Sequence, residues 1–341
     1  MKESIRVLIQ EQSGIAEARR LARSMAQEVG FDESQAEHVA ICVTEACTNL
    51  LKHAQGGEIL LRKTCEEQAG LEMLALDRGP GMTNLDQCLR DGYSTGGTPG
   101  QGLGAIMRLS NASDFYTLPG RGTAVLARWS QPHSNGSSAA RPAPDHSGKL
   151  RIGVVNVCKT GEQVCGDSWG TEQTESDTVV MVADGLGHGP EAQAASLEAA
   201  RMLAMNPDLA PLALIERSHD ALKSSRGAAV AVARIDRERG KVAFAGIGNI
   251  AAQIYSGSKM NQHLVSVNGT AGHQMQRLRE FSYPWPSDGM LVLHSDGLLS
   301  ATSVETHPGL ALRDPALIAG VLYRDFSRGS DDSTVLVAKL A

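Results

Sequence analysis

The feature that most restricts the fold is a stretch that cannot fold by itself. "SQPHSNGSSAARPAPDHSGK", residues 130–149, is rich in Ser, Pro, Gly and Ala and has almost no large apolar side chain. Such a segment buries too little surface to offset its ordering entropy, so residues 131–149 read as a flexible linker. The 341 residues then fall into two lengths, 1–130 and 150–341, each of ordinary domain size. Two separate cores must be closed, and a chain with 42% hydrophobic and 21% charged residues can fill both. The net charge of −6 argues against nucleic acid or a membrane surface as partner. No apolar run approaches the roughly 20 residues of a bilayer span. The opening "MKESIRVLIQEQ" has no secretory h-region, and the six cysteines show no CxxC spacing. Reduced thiols and a cytoplasmic location are therefore expected.

In the first part, Ile15, Ala18, Ala22, Met25 and Val29 follow helical spacing, with Gly30 placed as a C-cap. Asp32 and Gln35 form a capping-box pattern that opens a second helix through about Ala54. "EILLRKTC" and "LEMLALD" read as strands. A glycine-rich stretch to about Gly104, a short helix to Ser110, and strands near 113–118 and 123–129 complete an α+β layer with helices on one sheet face. The second part begins with the strands "LRIGVVNV" and "DTVVMVAD" and continues with helical runs over 190–205 and 211–224. The remainder is mostly strand, which predicts a sheet-on-sheet sandwich flanked by helices.

Chemistry-bearing residues recur at fixed places in the first part. Glu45, Asn49 and His53 share one helix face, which by itself is equally a solvated polar stripe. Asp77 ends a strand and is followed by Gly79 and Gly81. "GGTPGQGLGAIMRLS", residues 96–110, runs a glycine loop into a helix whose first amides can hold phosphate. The blocks E-x-x-x-N, D-x-G-x-G and G-x-G, closed by "GTAV" at 122–125, resemble the GHKL (Bergerat-fold) ATPases. Within them the likeness is to the anti-sigma-factor and switch-protein serine kinases of the RsbT/RsbW type, over nearly all of residues 1–130. The resemblance implies an α/β two-layer sandwich that binds Mg-ATP. It assigns Glu45 as catalytic base, Asn49 to Mg²⁺, Asp77 to the adenine amino group, and Gly79 and Gly81 to close approach of the base. Gly102 and Gly104 would cradle phosphate, and Thr123 would complete the adenine pocket. Lys52 either faces phosphate or is an ordinary solvated lysine. The sequence shows no dimerisation helix bearing a phospho-acceptor histidine, so the expected acceptor is a serine or threonine of another protein.

In the second part, "VVMVADGLGHGPEA" (179–192) stops an apolar run on Asp184. "CGDSWG" puts Asp167 just after a strand, "LVLHSDGLLS" puts Asp296 at the end of another, and "GSDDSTVLVAKL" puts Asp331 and Asp332 before the last. Singly, each Asp-Gly is a turn. Together these carboxylates are costly in a core unless they neutralise something, and they are the oxygen ligands a two-metal site needs. The set resembles the metal-dependent PPM serine/threonine phosphatases, in the SpoIIE-like and RsbX-like branch, over about 150–341. That resemblance implies an αββα sandwich with two Mn²⁺ or Mg²⁺ ions. Asp184, counted as catalytic, and the Gly185 carbonyl would bridge them, with Asp167, Asp296 and Asp331 on one ion or the other. Asp331 is preferred to Asp332 because the family ligand is the first residue of its D-[DN]-x-[ST] tail. His188 either protonates a leaving alkoxide or caps the next helix. No arginine stands just upstream of "CGDSW", where the resemblance to eukaryotic members implies one that binds phosphate, so substrate phosphate is expected directly on the metals. Combined, the resemblances imply a bifunctional partner-switching protein acting on a STAS-domain antagonist or similar phosphoprotein, with a sigma factor as a further partner. The alternative is a phosphatase whose N-terminal domain docks partners and binds nucleotide without transferring phosphate.

Overall fold

The computed structural model describes residues 3–65, 69–85, 102–131, 149–174, 176–257, 261–275 and 277–340. The linker read at 131–149, apart from Gln131 and Lys149, and the glycine stretch before Gly102 lie outside the described residues. Packing divides the chain into two compact units. One comprises Lys2–Pro144 and Glu305–Arg324, the other Asp145–Val304 and Asp325–Ala341. A piece of the C-terminal half therefore belongs to the N-terminal unit.

The N-terminal unit is built on one antiparallel sheet of order β1-β2-β3-β5-β4. These strands are β1 (Ile5–Ile9), β2 (Gly57–Cys65), β3 (Ala69–Leu76), β4 (Ala112–Thr117) and β5 (Thr123–Ser130). The helices are α1 (Gln12–Glu28), α2 (Glu33–Ala54) and α3 (Gly102–Leu109). The capping box is formed: Gln35 N donates to Asp32 Oδ1 at 2.8 Å, and Asp32 N donates to Gln35 Oε1 at 3.1 Å. Gly30, at φ +88, turns the chain after α1 in a conformation open to glycine. Ile59, Leu61, Leu71, Met73, Val125 and Ala127 pack with α2 residues in one core. Strand alternation sends Leu60, Leu74 and Leu126 to the opposite face, where they are buried as well.

Residues 305–324 account for that second buried face. They carry most of α6 (Pro315–Phe326), a helix in a region that the sequence reading assigned mainly to strands. Gly320 sits so close to the sheet that a Cβ there would lie 3.2 Å from Leu74 and 3.3 Å from Leu76. Beside this apolar contact runs a polar seam. Glu72, only 2% exposed, accepts from Arg62 and Arg128 at 2.7 Å each. Arg128 then grips Asp314 in a bidentate pair at 2.7 and 2.8 Å. Every charge in the seam has an opposite partner, the condition under which burial of ions is tolerated.

The C-terminal unit has two five-stranded sheets, of order β13-β10-β9-β8-β7 and β12-β11-β14-β15-β6. The first contains β7 (Asp167–Gln173), β8 (Asp177–Gly185), β9 (Ala228–Asp236), β10 (Lys241–Ile247) and β13 (Phe281–Pro284). The second contains β6 (Leu150–Val157), β11 (Ala251–Tyr255), β12 (Gln262–His263), β14 (Met290–His294) and β15 (Ser333–Leu340). Val180 and Val182 join Leu291, Leu293 and Leu336 in a core between the sheets. Val179, Met181 and Ala183 pack instead with α4 (Pro190–Met205) and α5 (Pro211–Leu222). The unbroken apolar run before Asp184 thus reflects a strand buried on both faces. Asp167 differs from its expected place: it opens β7 instead of following a strand. Among the described residues, no helix is long and apolar enough to cross a membrane.

Candidate functional sites

In the N-terminal unit, α2 presents Glu45 and Asn49, both half-buried, to the start of α3. A Cβ on Gly102 would lie 3.0 Å from Glu45 Oε2 and 3.3 Å from Asn49 Nδ2, so the absent side chain leaves space beside both groups. Gly104 is buried one turn-fraction further along α3. His53 and Lys52 are exposed at the other end of α2. There Ala54 presses on Gly79, where a Cβ would approach Ala54 Cβ to 2.6 Å. Asp77 Oδ1 accepts from Gly79 N at 2.8 Å and from Thr123 N at 3.1 Å. Its Oδ2 takes no hydrogen bond among the described residues. Burial pushes the Asp77 carboxyl up, against the pull of those two amides and Arg324. Gly81 (φ +68) faces the Leu118 carbonyl, and Gly122 (φ +87) the carbonyl of Asp77. Thr123 Oγ1 is 3.2 Å from Thr117 Oγ1, which accepts from Met82 N at 2.8 Å. Asp77, Gly79, Gly81 and Thr123 therefore form one cluster, and Glu45, Asn49 and Gly102 another. A carboxylate with one unused oxygen and a side-chain-free cradle fit a nucleotide base and its phosphates. The sequence reading missed Arg324, which donates to the Asp77 carbonyl at 3.0 Å. Nothing near Asp77 in sequence signals it.

In the C-terminal unit, strand pairing sets the carboxylates. Asp167 and Asp184 are direct cross-strand partners of β7 and β8. On an antiparallel pair such residues share a face with Cβ atoms about 5 Å apart, and like charges there repel. By alternation Asp184 continues the side taken by Val180 and Val182, at the end of the inter-sheet core. Ser295 Oγ donates to Asp167 Oδ2 at 2.6 Å, and Asn249 Nδ2 to Asp296 Oδ2 at 2.6 Å. Asp331 Oδ1 accepts from Asp332 N at 2.9 Å, and Asp332 Oδ1 from Lys159 N at 2.8 Å. Burial pushes Asp184 well above the usual carboxylate range, and Asp167, Asp296, Asp331 and Asp332 add to the rise. Burial raises Asp167 as well, opposed by Ser295 and reinforced by Asp332 and Asp296. Among the described residues no three such side chains close into a ready-made ion cage. They are near enough to repel but not to ligate in common as they stand. An acidic set of this kind, with oxygen donors from four strand ends, fits hard divalent cations, which would cancel the repulsion. Gly185 has its own steric reason, since a Cβ there would run into the backbone of Ala192. His188 Nδ1 lies 2.6 Å from Glu162 Oε1. Ser295, Asn249 and Glu162 escaped the sequence reading. Only the polar ends of "LVLHSD" and "GIGNI" hinted at the first two.

Residues 10–129 match the histidine kinase-like ATPase domain family, and residues 174–341 match stage II sporulation protein E (SpoIIE). The chain thus carries a histidine kinase-like ATPase domain followed by a SpoIIE-type domain. Its N-terminal part is similar to the serine/threonine-protein kinase RsbT of Bacillus subtilis strain 168, 30% identical over 131 residues, or 38% of this chain and 98% of that protein. The phosphoserine phosphatase RsbX of the same bacterium is 25% identical over 190 residues, 55% of this chain and 94% of its own length. The crystal structure of RsbX in complex with magnesium superposes with a TM-score of 0.50 at 22% identity, over 57% of this chain and 96% of that one. A structure from work on the bacterial stressosome as a modular system controlling secondary-messenger signalling gives 0.53 at 26% identity, over 56% of this chain and all of its own. The two halves are thus a histidine kinase-like ATPase domain and a PPM-type serine/threonine phosphatase domain in one mixed α/β chain. That pairing is the one expected of a partner-switching regulator.

Proposed function

We propose that the C-terminal unit hydrolyses phosphoserine or phosphothreonine in a STAS-type antagonist or similar phosphoprotein. The N-terminal unit, on this reading, binds Mg-ATP and phosphorylates a member of the same partner set, with a sigma factor as a further partner. The carrying observation is the Asp167–Asp184 register pair on adjacent strands, Asp167 buried and Asp184 half-buried, with no cation among their hydrogen-bond partners in the described residues. Asp167, Asp184, the Gly185 carbonyl, Asp296 and Asp331 would hold two Mn²⁺ or Mg²⁺ ions. Those ions supply Lewis acidity at the phosphate and acidify a bound water. The chain supplies orientation. Ser295 fixes Asp167, and Asn249 fixes Asp296. Glu162 accepts from His188 Nδ1, which turns Nε2 outward to hand a proton to the departing serine oxygen. In the N-terminal unit, Glu45 orients the acceptor hydroxyl, Asn49 holds Mg²⁺, and Gly102 and Gly104 leave room for phosphate. Asp77 reads the adenine amino group with the help of Gly79, Gly81 and Thr123.

The test uses the full chain and a candidate STAS-type protein. Hydrolysis of the phosphorylated partner should require Mn²⁺ or Mg²⁺ and stop in excess chelator. ATP labelled at the γ-phosphate should label the unphosphorylated partner, and Glu45→Ala should abolish labelling while ATP still binds. ATP binding with no labelling by the wild-type chain would instead support the docking reading.

A further inference from the structure

The phosphatase reading leaves one gap. No arginine stands just upstream of "CGDSW" to hold the phosphate dianion. The structure brings one from the turn before β9. Leu186 N donates to Gly227 O at 3.0 Å, so the backbone just before β9 tracks the loop that follows Asp184. Gly227, at φ +79, forms a tight corner where a Cβ would approach the Ala271 carbonyl to 2.6 Å and His273 to 2.8 Å. His273 Nε2 lies 2.9 Å from the Arg226 carbonyl and secures the same corner from the other side. From it the Arg226 side chain extends over the loop, with Nη1 3.0 Å from the point a Cβ on Gly187 would occupy. Gly187, two residues after Gly185, admits the guanidinium because it has no side chain. Among the described residues Arg226 pairs with Glu191, and both side chains stay open to water, 48% and 71% exposed.

We propose that Arg226 is the substrate-phosphate receptor of the phosphatase unit, reaching from the turn before β9 over the Gly185–Gly189 loop. Arginine suits the task because its planar fork binds two phosphate oxygens at once and never loses its charge. Glu191 occupies the fork when no substrate is bound. An exposed pair of this kind contributes little net stability, so a phosphate dianion displaces the carboxylate readily. His188 stands on the same loop, which places the phosphate clamp and the proton donor on either side of Gly187.

This inference rests on the phosphatase reading, and one experiment separates the two. Steady-state hydrolysis of p-nitrophenyl phosphate with Mn²⁺ is measured on the full chain for wild type, Arg226→Ala, Arg226→Lys and Glu191→Gln. No metal-dependent hydrolysis by wild type would defeat the phosphatase reading itself. Given activity, Arg226→Ala should raise KM, and the inhibition constant of inorganic phosphate, by about tenfold, the size of a lost hydrogen-bonded ion contact, with a smaller change in kcat. Arg226→Lys should recover part of the affinity, since it keeps the charge and loses the fork. Glu191→Gln should leave KM equal or lower, because it removes the competing anion. Unchanged KM and phosphate inhibition in Arg226→Ala would overturn the proposal. So would a fall in kcat and thermal stability alone, which marks a merely structural arginine.

Discussion

Glu72 in the N-terminal unit and Asp184 in the C-terminal unit are both strand carboxylates turned away from bulk water, and they are treated in opposite ways. Glu72 is fully enclosed, and burial alone would raise its carboxyl. Arg62 and Arg128 together overturn that and hold it below the ordinary value. At Asp184 the leading influences are burial and four other aspartates, and all of them drive its carboxyl up. The first is a charge whose compensation is built into the fold. The second has no such compensation among the described residues, an arrangement that fits the proposed cation site. Glu72 is buried and Asp184 half-buried, but in both burial pushes the carboxyl up, and it is the sign of the neighbours that sends the two in opposite directions.

The largest effect on this contrast comes from removing a whole layer. Expressed alone, residues 1–130 lose Glu305–Arg324, and with it the cover on Leu60, Leu74, Leu76 and Leu126 and the Asp314 partner of Arg128. At about 2 kcal/mol per leucine, roughly 8 kcal/mol of burial is forfeited. That is comparable with the whole stability of an ordinary domain, about 5–15 kcal/mol. The fragment should aggregate or melt without cooperativity in thermal denaturation followed by circular dichroism. A fragment joined by a short linker to residues 305–324 should melt cooperatively. Equal, cooperative melting of both would break the claim that this segment completes the unit.

Within the intact unit, Glu72→Gln should be the costliest single change. It removes the carboxylate that two guanidiniums share, and breaking a buried ion pair of this kind costs about 3–5 kcal/mol. Chemical denaturation measures the loss. The sign of the acid response follows from the depressed carboxyl. Its stabilisation is complete above the ordinary glutamate value of 4.5 and fades as the pH falls through the lower folded value. Wild type should therefore lose stability on acidification below that point, and Glu72→Gln should show a flatter acid limb. A variant as stable as wild type at neutral pH would remove Glu72 from the structural side of the comparison.

The sequence revealed these two carboxylates unequally. Asp184 was legible because a β-branched run stopping on Asp-Gly carries two local signals at once. Asp296 carries the same Asp-Gly signal after its strand, whereas Asp167 opens β7 and Asp331 precedes β15, so those two stood out only through the whole set and its resemblance. Helices with caps could also be read: Asp32 and Gln35 fix the start of α2, and Pro190 and Pro211 open α4 and α5. Glu72 gave no signal, because its meaning lies in Arg62, Arg128 and the distant Asp314. The helix "PALIAGVLYRDF" was missed for a related reason. Residues Pro315–Arg324 are buried all round, so the run has no polar stripe and no amphipathic period to read. Edge strand β1 was missed because Ile5 and Leu8 are exposed, which blurs the alternation. Arg226 and Arg324 act across the fold on groups far away in sequence, and no local pattern encodes that.

Asp184→Asn probes the functional side of the comparison, with an effect on activity and none on folding. The amide keeps the volume and removes a repelled charge. In excess chelator its melting temperature should equal or exceed that of wild type. If Asp184 holds the ions as proposed, metal-dependent hydrolysis of p-nitrophenyl phosphate should fall on the order of a hundredfold, since one of the charges that would hold them is lost. The added melting temperature that saturating Mn²⁺ gives the wild type should shrink with it. A variant less stable than wild type in chelator would mean that Asp184, like Glu72, is compensated within the fold.

Asp77 stands between the two cases, and its variant should show the smallest effect. Its carboxyl is raised by burial, as at Asp184, yet two backbone amides and Arg324 oppose the rise, as arginines do at Glu72. Half of the group is committed, because Oδ1 holds Gly79 N and Thr123 N. The other oxygen is the one available to an adenine amino group. Asp77→Asn can keep its carbonyl oxygen on the two amides, so the loop should stay in place and the melting temperature should move little. The amide nitrogen then points a donor at a donor. Loss of one hydrogen bond to a charged acceptor corresponds to about tenfold in affinity. Isothermal titration of the full chain with a non-hydrolysable ATP analogue should show that loss, while a GTP analogue, which offers a carbonyl at the same position of the ring, should be affected less. If both nucleotides weaken equally and the melting temperature falls, Asp77 belongs with Glu72 as a structural carboxylate. If only the adenine nucleotide weakens, the unused oxygen marks a binding group, as the uncompensated charge does at Asp184.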